Sequence, residues 1–565
     1  MVNIRKIGVI GRTYRHLNRY RQILTVFIKY GFGDLLELLK IDQYLETGLR
    51  MLSTRSREKV ERLSRAQRLR MAFEELGPTY IKLGQAVSTR TDLVPGEYIT
   101  EFSKLQDQVP SIDFSYIKSI IESELKLPID QIFDAFDEKA IASASIGQVH
   151  RARLKDGEPV AVKVQRPGIR KLIEVDLEIM LHLATLMERH IEGMDLYRPV
   201  KIVEEFARTL EKEIDYTNEA ANMERFAGNF LDDVTIYVPK VFKDTTAPRV
   251  LTMEYVSGIK VSEVHELTQK GLDRKIITAR GAHLFLKQVF DHGFFHADPH
   301  PGNIFVLPDN VICLLDFGMM GYIDRKTREL FVDLIDSIVH RDEVKATQIL
   351  LKLTTWVEEP DIRDLEKGVA DIMGTHLFKP LKDIRIGKLI QQMFELVSRH
   401  RLRIPADIFL MIKSFSAMEG VGTMLDPEFD IISQAAPFLK QIKLAKLHPQ
   451  RLAEDIVSIS SDLLQFTQQF PKDMLEIGRL IRSKDLCVKF ENQGLDTMMG
   501  TYDRISNRIS FSIVIAALII GSALIIISEI PPMMFGISMI GIIVFVAAGI
   551  MGIWLLIAIL KKGRL

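Results

Sequence analysis

Cysteine is almost missing from this chain: Cys313 and Cys487 are the two in 565 residues. That excludes a disulfide framework and any cysteine-rich zinc or iron–sulfur site, and it fits a reducing compartment. Net charge is missing as well. Lys plus Arg number 74 and Asp plus Glu number 74, so no overall field directs the chain to nucleic acid. No repeat or low-complexity tract appears. The length exceeds what a single core supports, so several domains are expected, with room for a buried active site.

Local absences say more. The first 33 residues contain no acid but seven bases, Arg5, Lys6, Arg12, Arg15, Arg19, Arg21 and Lys29, with apolar residues between them. Three readings stay open for this stretch: a membrane-surface helix, a transit peptide, or a solvated basic helix face. From Ile509 to Leu560 the only charge is Glu529, beside Pro531 and Pro532. Two runs, Ile509 to Ser528 and Met533 to Leu560, are each long enough to span a hydrocarbon core of about 30 Å. Arg504 and Arg508 precede the first run, and Lys561, Lys562 and Arg564 follow the second. The positive-inside rule then predicts a two-span hairpin with both ends, and the catalytic domain, on the cytoplasmic side. A multi-pass protein of a bacterial inner membrane is expected; the basic N-terminus leaves an organellar source open.

Residues 1 to about 135 read as helical, with a break at Pro78. KAIASASIG, QVHRARL and EPVAVKVQ are short β-prone runs, the last two joined by the turn-forming KDG. Helical periodicity returns over about 171–230, followed by β-prone runs around VPKVF and RVLTMEYV. Beyond Ser262 the chain is mainly helical, interrupted by NIFVLPDNVICLLDFG, which reads as a hairpin. The expected class is α+β, a two-lobed protein-kinase-like fold. We divide it as an N-terminal helical extension (1–135), a small lobe (136–256), a helical lobe and tail (257–500) and a transmembrane hairpin (505–565). Element order alone is weak evidence, and residues at fixed spacings must carry the claim.

Phosphoryl transfer needs a cation on the α/β-phosphates, ligands for a phosphate-bridging metal, and a carboxylate near the attacking hydroxyl. PVAVK puts Lys163 at the end of a strand, where a VAIK motif has its phosphate lysine. In HADPHPGN, Asp298 precedes Asn303 by five residues, the interval of the kinase loop HRDxxxxN. Asp298 is then the candidate base, Asn303 a Mg²⁺ ligand and His296 the leading histidine. Asp316 of LLDFG, thirteen residues beyond Asn303, is the second Mg²⁺ ligand. A transition-metal reading of His296, Asp298 and His300 competes, but Pro299, Pro301 and Gly302 disfavour the helix that would align the two histidines, and no HExxH arrangement accompanies them.

Two features depart from ordinary kinases. Where a GxGxxG loop should cover the phosphates stands Ile141, Ala142, Ser143, Ala144, Ser145, Ile146, Gly147, Gln148, Val149. Each Cβ restricts the backbone and fills space above the nucleotide. After DFG comes MMGYIDRKTREL, with neither APE nor a long activation segment, so no groove for an extended peptide is evident.

With these departures the chain resembles the UbiB family of atypical kinases, the aarF-type group, over roughly residues 20 to 500. The signatures are KLGQ at 82–85, IASASIGQVH at 141–150, EIDYTNEA at 213–220, and HADPHPGN with DFG. The resemblance implies that Glu219 pairs with Lys163, that Glu213 and Asp215 form an ExD motif, and that Lys82 and Gln85 form a KxGQ motif. It further implies that this extension folds over the cleft, occupies the protein-substrate pocket and sets Lys82 against Glu213. By residue type alone, KLGQ reads as a helix end capped by Gly84. His300 stands where many kinases carry a lysine for the γ-phosphate, which leaves a weaker, pH-dependent charge there. Backbone near Glu254 to Val256 is the expected adenine contact.

The leading functional expectation is a membrane-anchored ATP- and Mg²⁺-dependent kinase or ATPase with a small-molecule or lipid-linked substrate, and the resemblance alone implies that it supports ubiquinone biosynthesis. Its expected partners are a membrane lipid or quinone precursor and quinone-biosynthesis proteins, with no nucleic acid. A conventional Ser/Thr protein kinase and a nucleotide-binding scaffold of a lipid-biosynthetic complex are the alternatives.

Overall fold

Alternation of apolar and polar residues in GQVHRARL and PVAVKVQ builds the centre of an antiparallel sheet in the computed structural model, which describes residues 14–39, 63–88, 94–105, 110–191, 194, 198–356, 359–377, 386–446, 470, 474–475, 495–528, 531–534 and 537–562. The sheet runs β1 (Phe133–Phe136), β3 (Gly147–Leu154), β4 (Pro159–Gln165), β6 (Val250–Glu254), with the short β2 (Ala142–Ser143) pairing β3. β1 falls in FDAF, at the end of the stretch read as helical; a four-residue strand after a one-turn helix carries too little periodicity to separate the two. One face packs Val160, Val162 and Val164 of β4 against Ile117, Ile120 and Ile121 of the Phe114–Leu125 helix.

The N-terminal helices make a second core with the small lobe. The described part of the basic stretch is a packed helix, Tyr14–Lys29, whose Ile23, Leu24 and Val26 are buried. Arg19 reaches fully buried Asp176 with both arms of its guanidinium, at 2.6 and 2.9 Å, and Lys29 pairs with Glu75 at 2.7 Å. The membrane-surface and transit readings therefore do not hold for residues 14–29: the apolar stripe is buried, and Arg19 and Lys29 are paired, within the protein. Arg5, Lys6 and Arg12 lie outside the described residues, as do Cys487, Glu529 and Arg564.

The helical lobe carries the expected hairpin, β9 (Ile304–Leu307) with β10 (Val311–Leu314), flanked by β7 (Ile259–Lys260) and β5 (Ile236–Tyr237). A separate pair joins β8 (Phe294–His296) to β11 (Met320–Tyr322). The Ala406–Leu425 helix is apolar enough to resemble a span, yet 56% of it is buried, and it belongs to the lobe's core.

The chain forms two compact units, Met1–Leu452 and Ala453–Leu565. In the second, helices Leu495–Ile527 and Met539–Lys562 pack together. A Cβ on Gly541 would come within 2.5 Å of Ile526, so the glycine permits a close helix approach. Ile513, Ile520, Leu524, Ile543 and Ile550 point outward, exposed. The second helix starts at Met539 and not at Met533, because Met533–Met534 pairs with Ile537–Ser538 in a short ribbon; apolar content alone does not separate strand from helix over so few residues.

Candidate active site

Lys163 stands opposite Val149 of β3 and Leu251 of β6 in the sheet. Its partner arrives on the Tyr216–Asn229 helix, which Asp215 caps by accepting from the Thr217 N–H at 3.1 Å and the Thr217 hydroxyl at 2.6 Å. This cap places Glu219 one turn into the helix, 2.8 and 2.9 Å from the Lys163 ammonium. Burial alone would pull Lys163 down, but Glu219, Asp316 and the nearby Tyr216 more than offset it and hold the ammonium above its ordinary value.

The β8–β11 pair, with Met320 opposite His296, aligns the HADPHPGN loop with the DFG segment. His296 is buried; its Nδ1 accepts the Asp298 N–H at 3.1 Å, so its Nε2 carries the proton donated to the Asp316 carbonyl at 2.5 Å. Burial pushes its pKa down, which favours this neutral form. The Asn303 amide lies 3.4 Å from the Asp316 carboxylate, which also accepts the Gly318 N–H at 3.0 Å. Burial works against the Asp316 charge, yet chiefly the Lys163 ammonium, with the Gly318 N–H and Lys82, brings its pKa down to about 2. Phe317 is fully buried and meets Phe226 edge-on at 5.1 Å, while Asn222 donates to its carbonyl at 3.0 Å. The Lys163–Glu219 pair and an inward DFG phenylalanine thus coexist.

The histidines are engaged within the loop. His300 is exposed and accepts the Gly302 N–H on Nδ1 at 3.1 Å, bracing the Pro299–Gly302 turn. Among the described residues no three His, Cys, Asp or Glu side chains gather in a metal-binding arrangement. Asn303 and Asp316 instead offer oxygen ligands suited to a hard cation that shares its coordination with phosphates.

The alanine-rich loop folds as a tight β2–β3 turn, the Ala144 N–H donating to the Gly147 carbonyl at 2.8 Å. Ile141, Ala142 and Ala144 are exposed and Ser143 and Val149 half-buried, whereas Ser145, Ile146, Gly147 and Gln148 are buried. Ile146 joins the core of the N-terminal helices, and the Gln148 amide turns to the Ile112 backbone at 2.9 Å. Arg166 braces the loop from below, donating to the Ala144 carbonyl and the Ser143 hydroxyl, each at 2.8 Å. Gly147 has its own reason to be glycine: a Cβ would lie 2.6 Å from the Val164 carbonyl oxygen and 2.3 Å from the Tyr216 hydroxyl.

KLGQ is mid-helix. The Pro78–Ser88 helix runs through it, and Gly84 is no cap; it faces Leu105 and Phe73, which a Cβ would meet at 2.3 and 3.0 Å. Lys82 pairs with Glu213, both largely buried, as the resemblance implied. Gln85 turns away and donates to the Leu105 carbonyl at 3.3 Å. At the lobe junction the N–H groups of Glu254 and Tyr255 donate to the Lys240 and Pro159 carbonyls at 2.8 and 3.0 Å, and the Glu254 carboxylate holds the Tyr237 hydroxyl at 2.6 Å. Val256 is half-buried just beyond.

The residue that reading the sequence missed is Lys413. It comes from the Ala406–Leu425 helix and donates to Asp298 Oδ1 at 3.1 Å across 115 positions. The available signal is a lone charge in the otherwise apolar IFLMIKSFSAM.

Comparison with known proteins matches the chain to atypical kinase-like families. Residues 104–350 match the ABC1 atypical kinase-like domain, residues 369–430 the UbiB helical domain, and residues 493–561 the ABC1/UbiB kinase-like C-terminal domain. An uncharacterized protein in the hydrogenase 1 5′ region of Clostridium pasteurianum is 31% identical over 97% of this chain and 99% of its own. The probable protein kinase UbiB of Shewanella denitrificans is 35% identical over 82% and 86%. The chloroplastic ACTIVITY OF BC1 COMPLEX KINASE 7 of Arabidopsis thaliana is 37% identical over 76% of this chain, which spans 63% of that protein. Among solved structures, the Rv3197–erythromycin complex of Mycobacterium tuberculosis matches with a TM-score of 0.45 and 25% identity, over 67% of this chain and 96% of that one.

Proposed function

This chain belongs to the ABC1/UbiB family of atypical kinases, and on that premise we propose that it binds ATP with Mg²⁺ and transfers or hydrolyses the terminal phosphoryl group in support of ubiquinone biosynthesis. The acceptor is a small or lipid-linked molecule, with a quinone precursor or membrane lipid as the natural class, and quinone-biosynthesis proteins are its working partners. The observation that carries the reading is the Lys163–Glu219 pair, 2.8 Å apart and coupled to Asp316. A lysine fixed between carboxylates on a central strand of the sheet is suited to α/β-phosphates, and costs little reorganisation when they arrive.

Each residue then has a role. Lys163 holds the α/β-phosphates, oriented by Glu219. Asn303 and Asp316 would hold Mg²⁺, which, when bound, offsets charge on the phosphate oxygens. Asp298 takes the proton of the attacking hydroxyl or water. His296 keeps Asp298 and Asp316 in register through its two ring nitrogens. The turn at residues 141–144 covers the nucleotide, and the junction from Glu254 to Val256 lies against the adenine.

A conventional protein kinase fits less well. Lys82 of the extension is paired with Glu213, and the chain passes from Gly318 into β11 and the Arg325–Val339 helix with no long activation segment between. The apolar segments Ile509–Ile527 and Met539–Leu555 support anchoring in the cell inner membrane, and the basic residues that flank them support a cytoplasmic catalytic unit.

ATP hydrolysis by the full chain in lipid, compared with Asp316→Asn, tests the reading. Equal rates would favour a nucleotide-binding scaffold. Cells lacking the protein should lose quinone, and Asp298→Asn should not restore it; restoration would separate the quinone role from catalysis.

A further inference from the structure

The catalytic loop lacks its own cation. In this conformation the His300 Nδ1 is an acceptor for the Gly302 N–H, so that nitrogen carries no proton and the ring is not a cation. Lys163 is committed to Glu219 and Lys82 to Glu213. The ammonium that does reach Asp298 is Lys413, 3.1 Å from Oδ1.

Lys413 is held there by construction. Its helix buries Met411, Ile412, Ser414, Phe415 and Met418 in the lobe core, while Leu410, Lys413 and Ala417 form a less buried stripe. The next residue, Ser414, donates its hydroxyl to the His296 carbonyl at 3.0 Å, locking the helix to the same loop that carries Asp298. An ordinary surface ion pair would need no such dock and contributes little by itself. An ammonium has three donors, and the Asp298 contact uses one.

We propose that Lys413 supplies the terminal-phosphate cation of this site, delivered by the helical domain to a catalytic loop that has a histidine in place of a lysine. The inference rests on the nucleotide reading above. If Asp298 is within about 3 Å of the attacking oxygen, and that oxygen within about 3.5 Å of the phosphorus, the Lys413 ammonium reaches the terminal phosphate oxygens by rotation of its own stem. In the step, the acceptor oxygen forms a bond to phosphorus while the bond from phosphorus to the β-bridging oxygen breaks. The hydroxyl proton passes to Asp298, ADP leaves with the bridging electrons, and Lys413 keeps its protons while donating hydrogen bonds to the moving group.

The experiment compares equilibrium affinity for ADP and for β,γ-imido-ATP, both with Mg²⁺, using the full chain in lipid nanodiscs. Lys413→Met should leave ADP affinity within about twofold and weaken the triphosphate analogue by about tenfold; retained ADP binding also reports that the site is folded. Lys413→Arg should restore most of the preference, and Lys163→Met should weaken both nucleotides. Equal weakening of both by Lys413→Met, or no change in either, overturns the assignment of Lys413 alone. Failure of the wild type to bind either nucleotide overturns the parent reading, and this one with it.

Discussion

The imidazole of His296 donates to the backbone carbonyl of Asp316 at 2.5 Å, and so ties the loop of the candidate base to the segment of the candidate metal ligand across 20 positions. The histidine is a buried beam, and its neighbour His300 is an exposed brace of a turn.

Their replacements should therefore separate. His296→Ala strands the Asp316 carbonyl and the Asp298 N–H and should cost about 1–3 kcal/mol of stability, with ATP turnover falling further as Asp298 loses register. His300→Ala should stay within about 0.5 kcal/mol of wild type. Denaturant titration of the two variants, with turnover measured in parallel, checks this; equal losses would place both histidines in the same role.

Asp316 predicts a pH dependence of known sign. Its folded pKa, about 2, lies below the ordinary value of 3.8, so its contribution to stability is fully present above about pH 4 and is lost as pH falls toward 2. Asp316→Asn should be less stable than wild type at neutral pH, and the gap should narrow between pH 4 and 2. A gap that stays constant over that window would mean the carboxylate is not held charged by its neighbours.

Lys82 and Glu213 are 15% and 23% exposed, so truncating either leaves a largely buried charge alone. Lys82→Met and Glu213→Gln should each destabilise the chain, and the double variant should recover part of the loss, with a coupling of about 1 kcal/mol or more. Strict additivity in the thermal or denaturant measurement would show that the extension and the small lobe are not joined through this pair.

Gly84→Ala adds a methyl against Leu105 and Phe73 and should cost about 1–3 kcal/mol, partly recovered by Leu105→Ala because a side chain can give way. Gly147→Ala meets the Val164 backbone oxygen and should not be rescued by Tyr216→Phe. Rescue of Gly147→Ala by that change would locate the conflict at the hydroxyl alone.

Spacing made Asp298, Asn303 and Asp316 legible, since all three lie within one stretch of 19 residues whose intervals are set by a short loop and a hairpin. The resemblance supplied Glu219, and the structure brings it to Lys163. Gly84 and Asp215 were legible as motif members but not in what they do. One fills a helix crossing and the other caps a helix, and both depend on what packs alongside.

What the sequence determined by itself is the set of elements and the chemistry they carry. Periodicity, turn residues and motif intervals are local, and so are the apolar runs at 509–560 and the strand that carries Lys163, which continues to Gln165. What only the tertiary structure decided is who meets whom. Arg19 was an unassigned base until Asp176 was beside it, and Lys413 was a lone charge in the apolar run 408–418 until the fold laid that helix across the catalytic loop. Contacts between residues so distant in sequence leave no periodic trace, because they are set by the packing of whole elements and not by the residues that happen to touch.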